Sequence, residues 1–322
     1  MDSLLCDEVL LSTDCCCNNN HDNDNGDGFS YTAKEDCEEA FCLCLKKEFT
    51  YMPSQGYFVH LDQSQDLLFA RIEAIRWLIK SRSRLNLSFE TIFNAANYLD
   101  RFLSRNHSLG WKKWMVELLS VACLSVASKF NETSAPSLHE IQMEEMDHIF
   151  QSITVQRMEL TVLQELDWRL ASTTAYSYLE MTAVIMSNDL LKSHLQKDSL
   201  VARVTELLLG TMLDCSFVEY RPSIVAVSAI WCALEELVPS NMLSTNLSYI
   251  TGFFNQHHKD DIMKCHTIMK EKLVPNLGKS NGCSPSSPVT VLLTERVDVY
   301  DCHVDLSLFK VVESTEKRRK FD

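Results

Sequence analysis

Trp114-Met115-Val116-Glu117-Leu118-Leu119-Ser120-Val121-Ala122-Cys123-Leu124-Ser125-Val126-Ala127-Ser128-Lys129-Phe130 is apolar on most sides of a helix. Met115, Leu118, Leu119, Ala122, Cys123 and Val126 together leave no broad polar face. Such a run predicts a central helix packed all round by others. Upstream, Ser88 is placed to cap a helix running through Leu103. Before that, Leu68, Ile72, Ile75 and Ile79 form an i, i+4, i+7, i+11 stripe with Trp77 beside it. A first helix is expected from Asp36 to Phe49, ending near Met52-Pro53. Downstream, Pro136 marks a loop, and Thr154 can cap a helix whose Val155, Met158, Val162 and Leu166 face inward. A second group follows: the stripe Leu200, Val204, Leu207 and Leu208, a helix Ser223–Leu237 begun by Pro222, and periodicity from Tyr249 to Leu273. The reading is two groups of about five helices, divided near residues 170–175, with no strand pattern.

The totals agree with it. At 322 residues the chain exceeds what one hydrophobic core usually organises. Eight glycines and seven prolines fall well below the roughly 7% and 5% average usage, so turns are few and helices with short connections are favoured. No stretch approaches the ~20 apolar residues of a membrane span, and no basic segment precedes an apolar run at the start, so neither a membrane partner nor a secretory route is expected. The thirteen cysteines are then expected as free thiols, with Cys123, Cys215 and Cys232 acting as small hydrophobes.

Two metal readings fail on spacing. Cys15-Cys16-Cys17 with His21 lacks the C-x₂₋₄-C separation that turns two sulfurs toward one zinc. Asp22 to Gly28 hints at a calcium loop, but its register puts Asn23 first and Lys34 last, where an EF-hand needs Asp and Glu. No metal and no cofactor are expected. The net charge of −14 is concentrated at the start, where residues 1–50 hold twelve acidic side chains against Lys34, Lys46 and Lys47. A chain without a clustered basic face is a poor direct binder of nucleic acid. No Gly-rich phosphate loop, H-E-x-x-H, G-x-S-x-G or kinase motif set is present, so no enzymatic activity is expected.

Several segments resemble the cyclin box. They are Leu99-Asp100-Arg101-Phe102-Leu103-Ser104, the run Ala122 to Thr133, and Arg157-Met158-Glu159-Leu160-Thr161-Val162-Leu163, in the right order. Arg71 through Trp77-Leu78-Ile79 is similar to the first helix of that box, and Trp168-Arg169-Leu170 to its close. Phe217-Val218-Glu219-Tyr220-Arg221-Pro222-Ser223 resembles a segment of the second fold in plant D-type cyclins, as Lys47-Glu48, Met52-Pro53 and Tyr57 resemble their lead-in. The resemblance implies an all-α protein with tandem cyclin folds, two five-helix bundles with disordered N- and C-terminal tails. Its layout would be a tail at 1–45, a first box at 46–171, a second fold at 172–276 and a tail at 277–322.

The resemblance also implies a function: a non-catalytic activating subunit of a cyclin-dependent Ser/Thr kinase, acting in the nucleus and also the cytoplasm. Lys129 and Glu159 map to the family's usual anchors on the kinase, with Glu132 beside them; by the bland reading they are solvated charges, Glu159 lying outside the inward stripe of its helix. Arg71 and Asp100 map to a charged pair inside the fold. Arg71 and Trp77 remain from the family's substrate-docking patch, but Ala70 and Glu73 stand where it usually has Met and Ile.

Leu4-Leu5-Cys6-Asp7-Glu8 spells L-x-C-x-E, the motif by which D-type cyclins hold the retinoblastoma-related pocket protein. In an extended segment Leu4, Cys6 and Glu8 share one face. Ser284-Pro285 and Ser287-Pro288 read as proline-directed phosphorylation sites or as ordinary loop Ser-Pro. Lys317-Arg318-Arg319-Lys320 reads as an import signal or a charged end. Kinase inhibitor proteins complete the expected partners. The other readings are a pocket-binding adaptor without kinase activation, a transcription-type cyclin, or an initiation factor of the two-repeat kind.

Overall fold

The computed structural model describes residues 28–106, 109–143, 146–186, 194–237, 247–274 and 297–298. Residues 1–27, 275–296 and 299–322 lie outside those described, and with them most of the tails expected at 1–45 and 277–322 and the sites at Leu4, Cys6, Glu8, Ser284 and Ser287; the part of the first tail that is described, from Gly28 on, is helical and not disordered. Helices dominate what is described: α1 (Gly28–Lys47), α2 (Tyr57–Gln63), α3 (Gln65–Leu85), α4 (Phe89–Arg105), α5 (Lys113–Asn131), the single turn α6 (Leu138–Ile141) and α7 (Ser152–Glu165). After an irregular stretch come α8 (Ser177–Met186), α9 (His194–Leu213), α10 (Pro222–Leu237) and α11 (Gln256–Lys272). Among the described residues the one strand pairing is two residues long, His148–Ile149 with Val297–Asp298.

In the first bundle α5 is the axis. Every residue from Met115 to Ser128 is buried, as its uniformly apolar sequence requires, and α3, α4 and α7 surround it. Local chemistry places those helices. α3 closes on Asn86 in the left-handed region (φ 51°), with Leu87 N–H donating to the Arg82 carbonyl at 3.0 Å. Two residues on, the Ser88 hydroxyl caps α4 by accepting from Thr91 N–H at 3.2 Å. The start of α7 differs from expectation: it begins at Ser152, with no side-chain cap, and Thr154 lies inside it. Its inward stripe Val155, Met158, Val162 and Leu166 is fully buried.

The stripe expected on α3 needs correction. Leu68, Ile72 and Ile79 are only half-buried, and the inward face carries Leu67, Arg71, Ala74, Ile75, Leu78 and Ser81. An arginine can sit on that face because Asp100 neutralises it there. Arg71 donates from Nε to Asp100 Oδ1 at 2.6 Å and from Nη2 to Oδ2 at 2.8 Å. Tyr57 Oη donates to the same carboxylate at 2.9 Å. The remaining Arg71 nitrogen, Nη1, donates at 3.0 Å to the carbonyl of Met212 in the last turn of α9, so the cluster also joins the two bundles. Burial opposes the Arg71 charge, but Asp100 outweighs it and holds the guanidinium above its ordinary range.

In the second bundle α10 is the axis between α9 and α11. The first of the described helices also belongs here. Phe41 of α1 is buried against Tyr178, Phe253 and Phe254, with ring centroids 5.2, 5.2 and 6.1 Å away. Just past α1, Glu48 is fully buried. Its Oε2 accepts from Tyr178 Oη at 2.8 Å and from Ser223 N–H at 2.9 Å, while Oε1 accepts from Ser223 Oγ at 2.9 Å. A carboxylate brought from far away thus satisfies the N-terminus of α10, where helix-end N–H groups and the dipole favour negative charge.

Candidate docking site

The axis of the first bundle reaches the surface at its last turn. After Ser128 the chain emerges as Lys129 and Phe130, with half of the phenylalanine surface exposed. Lys129 Nζ donates to Glu159 of α7 at 2.8 Å (Oε1) and 2.7 Å (Oε2). The two residues are therefore one group. Glu159 is not the solvated charge of the bland reading: its side chain is 11% exposed, against 51% for Lys129. Its position next to Met158 sets it at the margin of the buried stripe, and the lysine covers it. Nζ has three donors and Glu159 takes two, leaving one for a partner carbonyl.

Apolar residues accompany this pair. Leu160 follows Glu159 and is 48% exposed, and Ile153, seven residues earlier on the same face of α7, is 50% exposed. Just beyond the helix, Trp168 is 63% exposed on a turn where Asp167 (φ 54°) and Trp168 (φ 59°) are both left-handed. Non-glycine residues resist that conformation, so the turn needs external support. Two arginines of α4 supply it. Arg101 Nη1 donates to the Arg169 carbonyl at 3.0 Å, and Arg105 Nη1 donates to the Glu165 carbonyl and to Asp167 Oδ2. Burial, helped by the charge of Arg105, pulls the Arg101 guanidinium down to about 10. Phe130, Ile153, Leu160 and Trp168 were not singled out as contact residues by sequence reasoning. The signal available was an apolar residue off the inward stripe, as at Ile153 and Leu160. Large exposed apolar residues close in sequence to a paired charge point to an interaction site.

The other predicted residues fall elsewhere. Glu132 is tied to the start of α4: its Oε1 accepts from Ser88 N–H (2.8 Å), Ser88 Oγ (2.9 Å) and Thr91 Oγ1 (2.5 Å). Desolvation works against its charge, yet the bonds from Thr91 and Ser88 keep the carboxyl below its ordinary range. Arg71 and Trp77 are both buried. Trp77 only edges a groove of about 260 Å³ whose surface is charged. There Lys113 Nζ bridges Glu73 (3.0 Å) and Asp147 (2.6 Å), and His148 Nδ1 lies 2.7 Å from Glu117 Oε2. Among the described residues no cluster of three metal-ligating side chains occurs.

Comparison with known proteins gives the family of the fold. Residues 39–171 match the family description "Cyclin, N-terminal domain", and residues 173–284 match "Cyclin, C-terminal domain". The chain is 35% identical over 273 residues to a putative cyclin-D7-1 of Oryza sativa subsp. japonica, covering 83% of this chain and 76% of that protein. It is 31% identical over 238 residues to cyclin-D1-1 of Arabidopsis thaliana, covering 74% and 69% respectively. Among solved structures, a viral cyclin from herpesvirus saimiri superposes with a TM-score of 0.51 at 13% identity, over 63% of this chain and 86% of the other. With both cyclin domains in series and relatives among the plant D-type cyclins, the chain belongs to the cyclin family.

Proposed function

We propose that the chain is the activating, non-catalytic subunit of a cyclin-dependent Ser/Thr kinase, and that it directs the kinase to a retinoblastoma-related protein at the G1/S transition. The observation that carries the reading is the Lys129–Glu159 pair with exposed Phe130, Leu160, Ile153 and Trp168 on a cyclin fold. An apolar surface with one spare ammonium donor suits a kinase helix and the loop before it. Held from that side, the kinase αC helix stays inward, the kinase's own Lys–Glu pair forms and its activation segment opens. This chain supplies position and contributes no reacting group.

The link to a pocket protein rests on Leu4, Cys6 and Glu8, and nuclear action on the family resemblance and the basic run at 317–320. Restraint by kinase inhibitor proteins belongs to the same reading.

The test is a pull-down of plant cyclin-dependent kinases with activity measured on a retinoblastoma-related substrate. Leu160→Asp removes an apolar contact worth about 1.5–3 kcal/mol if buried and adds an unpaired charge, so kinase binding falls steeply. Lys129→Ala weakens binding by ~2–5 kcal/mol if the ammonium is desolvated at the interface. Loss below ~1 kcal/mol in both variants, the scale of a rim contact, refutes the docking site.

A further inference from the structure

Helix α7 ends in a turn that its own sequence does not favour. Asp167 N–H donates to the Gln164 carbonyl at 3.1 Å, and Trp168 N–H donates to the Leu163 carbonyl at 2.9 Å. This is the Schellman arrangement, whose left-handed position is usually glycine. Here aspartate occupies it, and the next residue, Trp168, is left-handed as well. Neither residue has glycine's freedom at positive φ, so other chain paths compete with the turn unless something outside it holds it.

Three side chains of α4 hold it. Tyr98, Arg101 and Arg105 stand at i, i+3 and i+7 on that helix and therefore share one face. Tyr98 Oη donates to the Leu170 carbonyl at 2.6 Å. Arg101 bonds the Arg169 carbonyl through Nη1 and the Leu166 carbonyl through Nη2, at 3.0 and 3.4 Å. Arg105 Nη1 donates to the Glu165 carbonyl and, at 3.2 Å, to Asp167 Oδ2. Together with the two Schellman bonds, these donors satisfy the carbonyls from Leu163 to Leu166, which a helix end leaves without partners of its own. Two guanidinium charges also lie where the helix dipole favours cations.

What the clamp displays is Trp168. Its side chain is exposed, and among the described residues its indole N–H has no acceptor. A large ring with a free donor at its edge is the type of residue that anchors a protein interface. We propose that Arg105, with Arg101 and Tyr98 behind it, is a positioning residue for kinase docking: it acts through the turn, presetting Trp168 as a rigid anchor whose indole N–H meets a carbonyl of the kinase. The proposal rests on the kinase-docking reading above. A turn that is already ordered spares the complex the loss of affinity incurred when only a fraction of molecules is competent to bind.

The test uses the full chain with Arg105→Met. This side chain is partly exposed and both its bonds end on the turn, whereas Arg101 is buried and its loss would threaten the fold. Without any kinase present, hydrogen exchange at the 168 and 169 amides is expected to rise about tenfold, while exchange in α5 stays as in wild type. The Kd for a plant cyclin-dependent kinase is expected to rise about tenfold. In a Trp168→Ala background the same substitution should change Kd by less than about twofold, because the anchor it positions is gone. Unchanged exchange at the turn overturns the proposal. Equal losses of affinity in the two backgrounds also overturn it, since Arg105 would then touch the kinase itself or merely stabilise the fold. Failure of the wild-type chain to bind any kinase refutes the docking reading instead, and the exchange measurement keeps the two failures apart.

Discussion

Replacing Asp100 by alanine tests the internal logic of the fold. The substitution leaves the Arg71 guanidinium, 1% exposed, with no counter-charge and only the Met212 carbonyl as acceptor. It also strands the Tyr57 hydroxyl, which donates to the same carboxylate. Breaking one partner of a buried pair costs about 3–5 kcal/mol, because the remaining charge stays desolvated. A buried hydroxyl without an acceptor adds about 1–3 kcal/mol, not fully additive with the first. Against a total stability of about 5–15 kcal/mol, the variant is expected to lose a large part of its folding free energy. Urea titration followed by far-UV circular dichroism measures it. The triple variant Tyr57→Phe/Arg71→Met/Asp100→Leu is the decisive companion: with both charges and the stranded hydroxyl gone and the volume roughly kept, stability should return to near wild type. If Asp100→Ala costs less than ~1 kcal/mol, the pair is no more than a surface-type contact and the reasoning fails.

Three further outcomes are expected. Glu48→Ala strands Tyr178 Oη and both donors of Ser223, and it should lower the melting temperature and make the α1 segment sensitive to limited proteolysis before the rest of the chain. Glu132 has its folded pKa held below the ordinary 4.5, so its stabilising effect is complete above that pH and is lost as pH falls through the folded value. Below pH 4.5, Glu132→Gln should therefore show a shallower loss of stability than wild type in acid titrations, and parallel curves would contradict the cap at α4. Cys6→Gly with Glu8→Ala should abolish capture of a retinoblastoma-related protein while kinase activation persists, and loss of both activities would mean the hook is misplaced.

What the sequence revealed was whatever local pattern controls. The axis helix at 114–130, the inward stripe of α7, the Ser88 cap and the start of α10 at Pro222 each depend on near neighbours in the chain. The inward face of α3 was misread because apolar periodicity cannot see a charge that its partner makes tolerable: Arg71 is paired with a residue 29 positions away. The cover over Glu159 leaves no local trace for the same reason, since it comes from Lys129 on another helix. Trp168 could be quoted as part of a motif, but its exposure depends on a left-handed turn supported by Arg101 and Arg105 from α4. The association of α1 with the second bundle leaves no local trace at all, because an amphipathic helix does not specify which apolar face it will meet.

That placement of α1 has a consequence for how the protein is made. Tyr178 and Ser223, which hold Glu48, come 130 and 175 residues after it in the chain. A ribosome adding about 5–20 residues per second needs roughly 7–35 s to deliver them. During that interval the first bundle can be completed, while Phe41 and the carboxylate of Glu48 have emerged without their final neighbours. The first of the described helices to leave the ribosome is thus among the last to find its place, and chaperones have the whole interval in which to attend it.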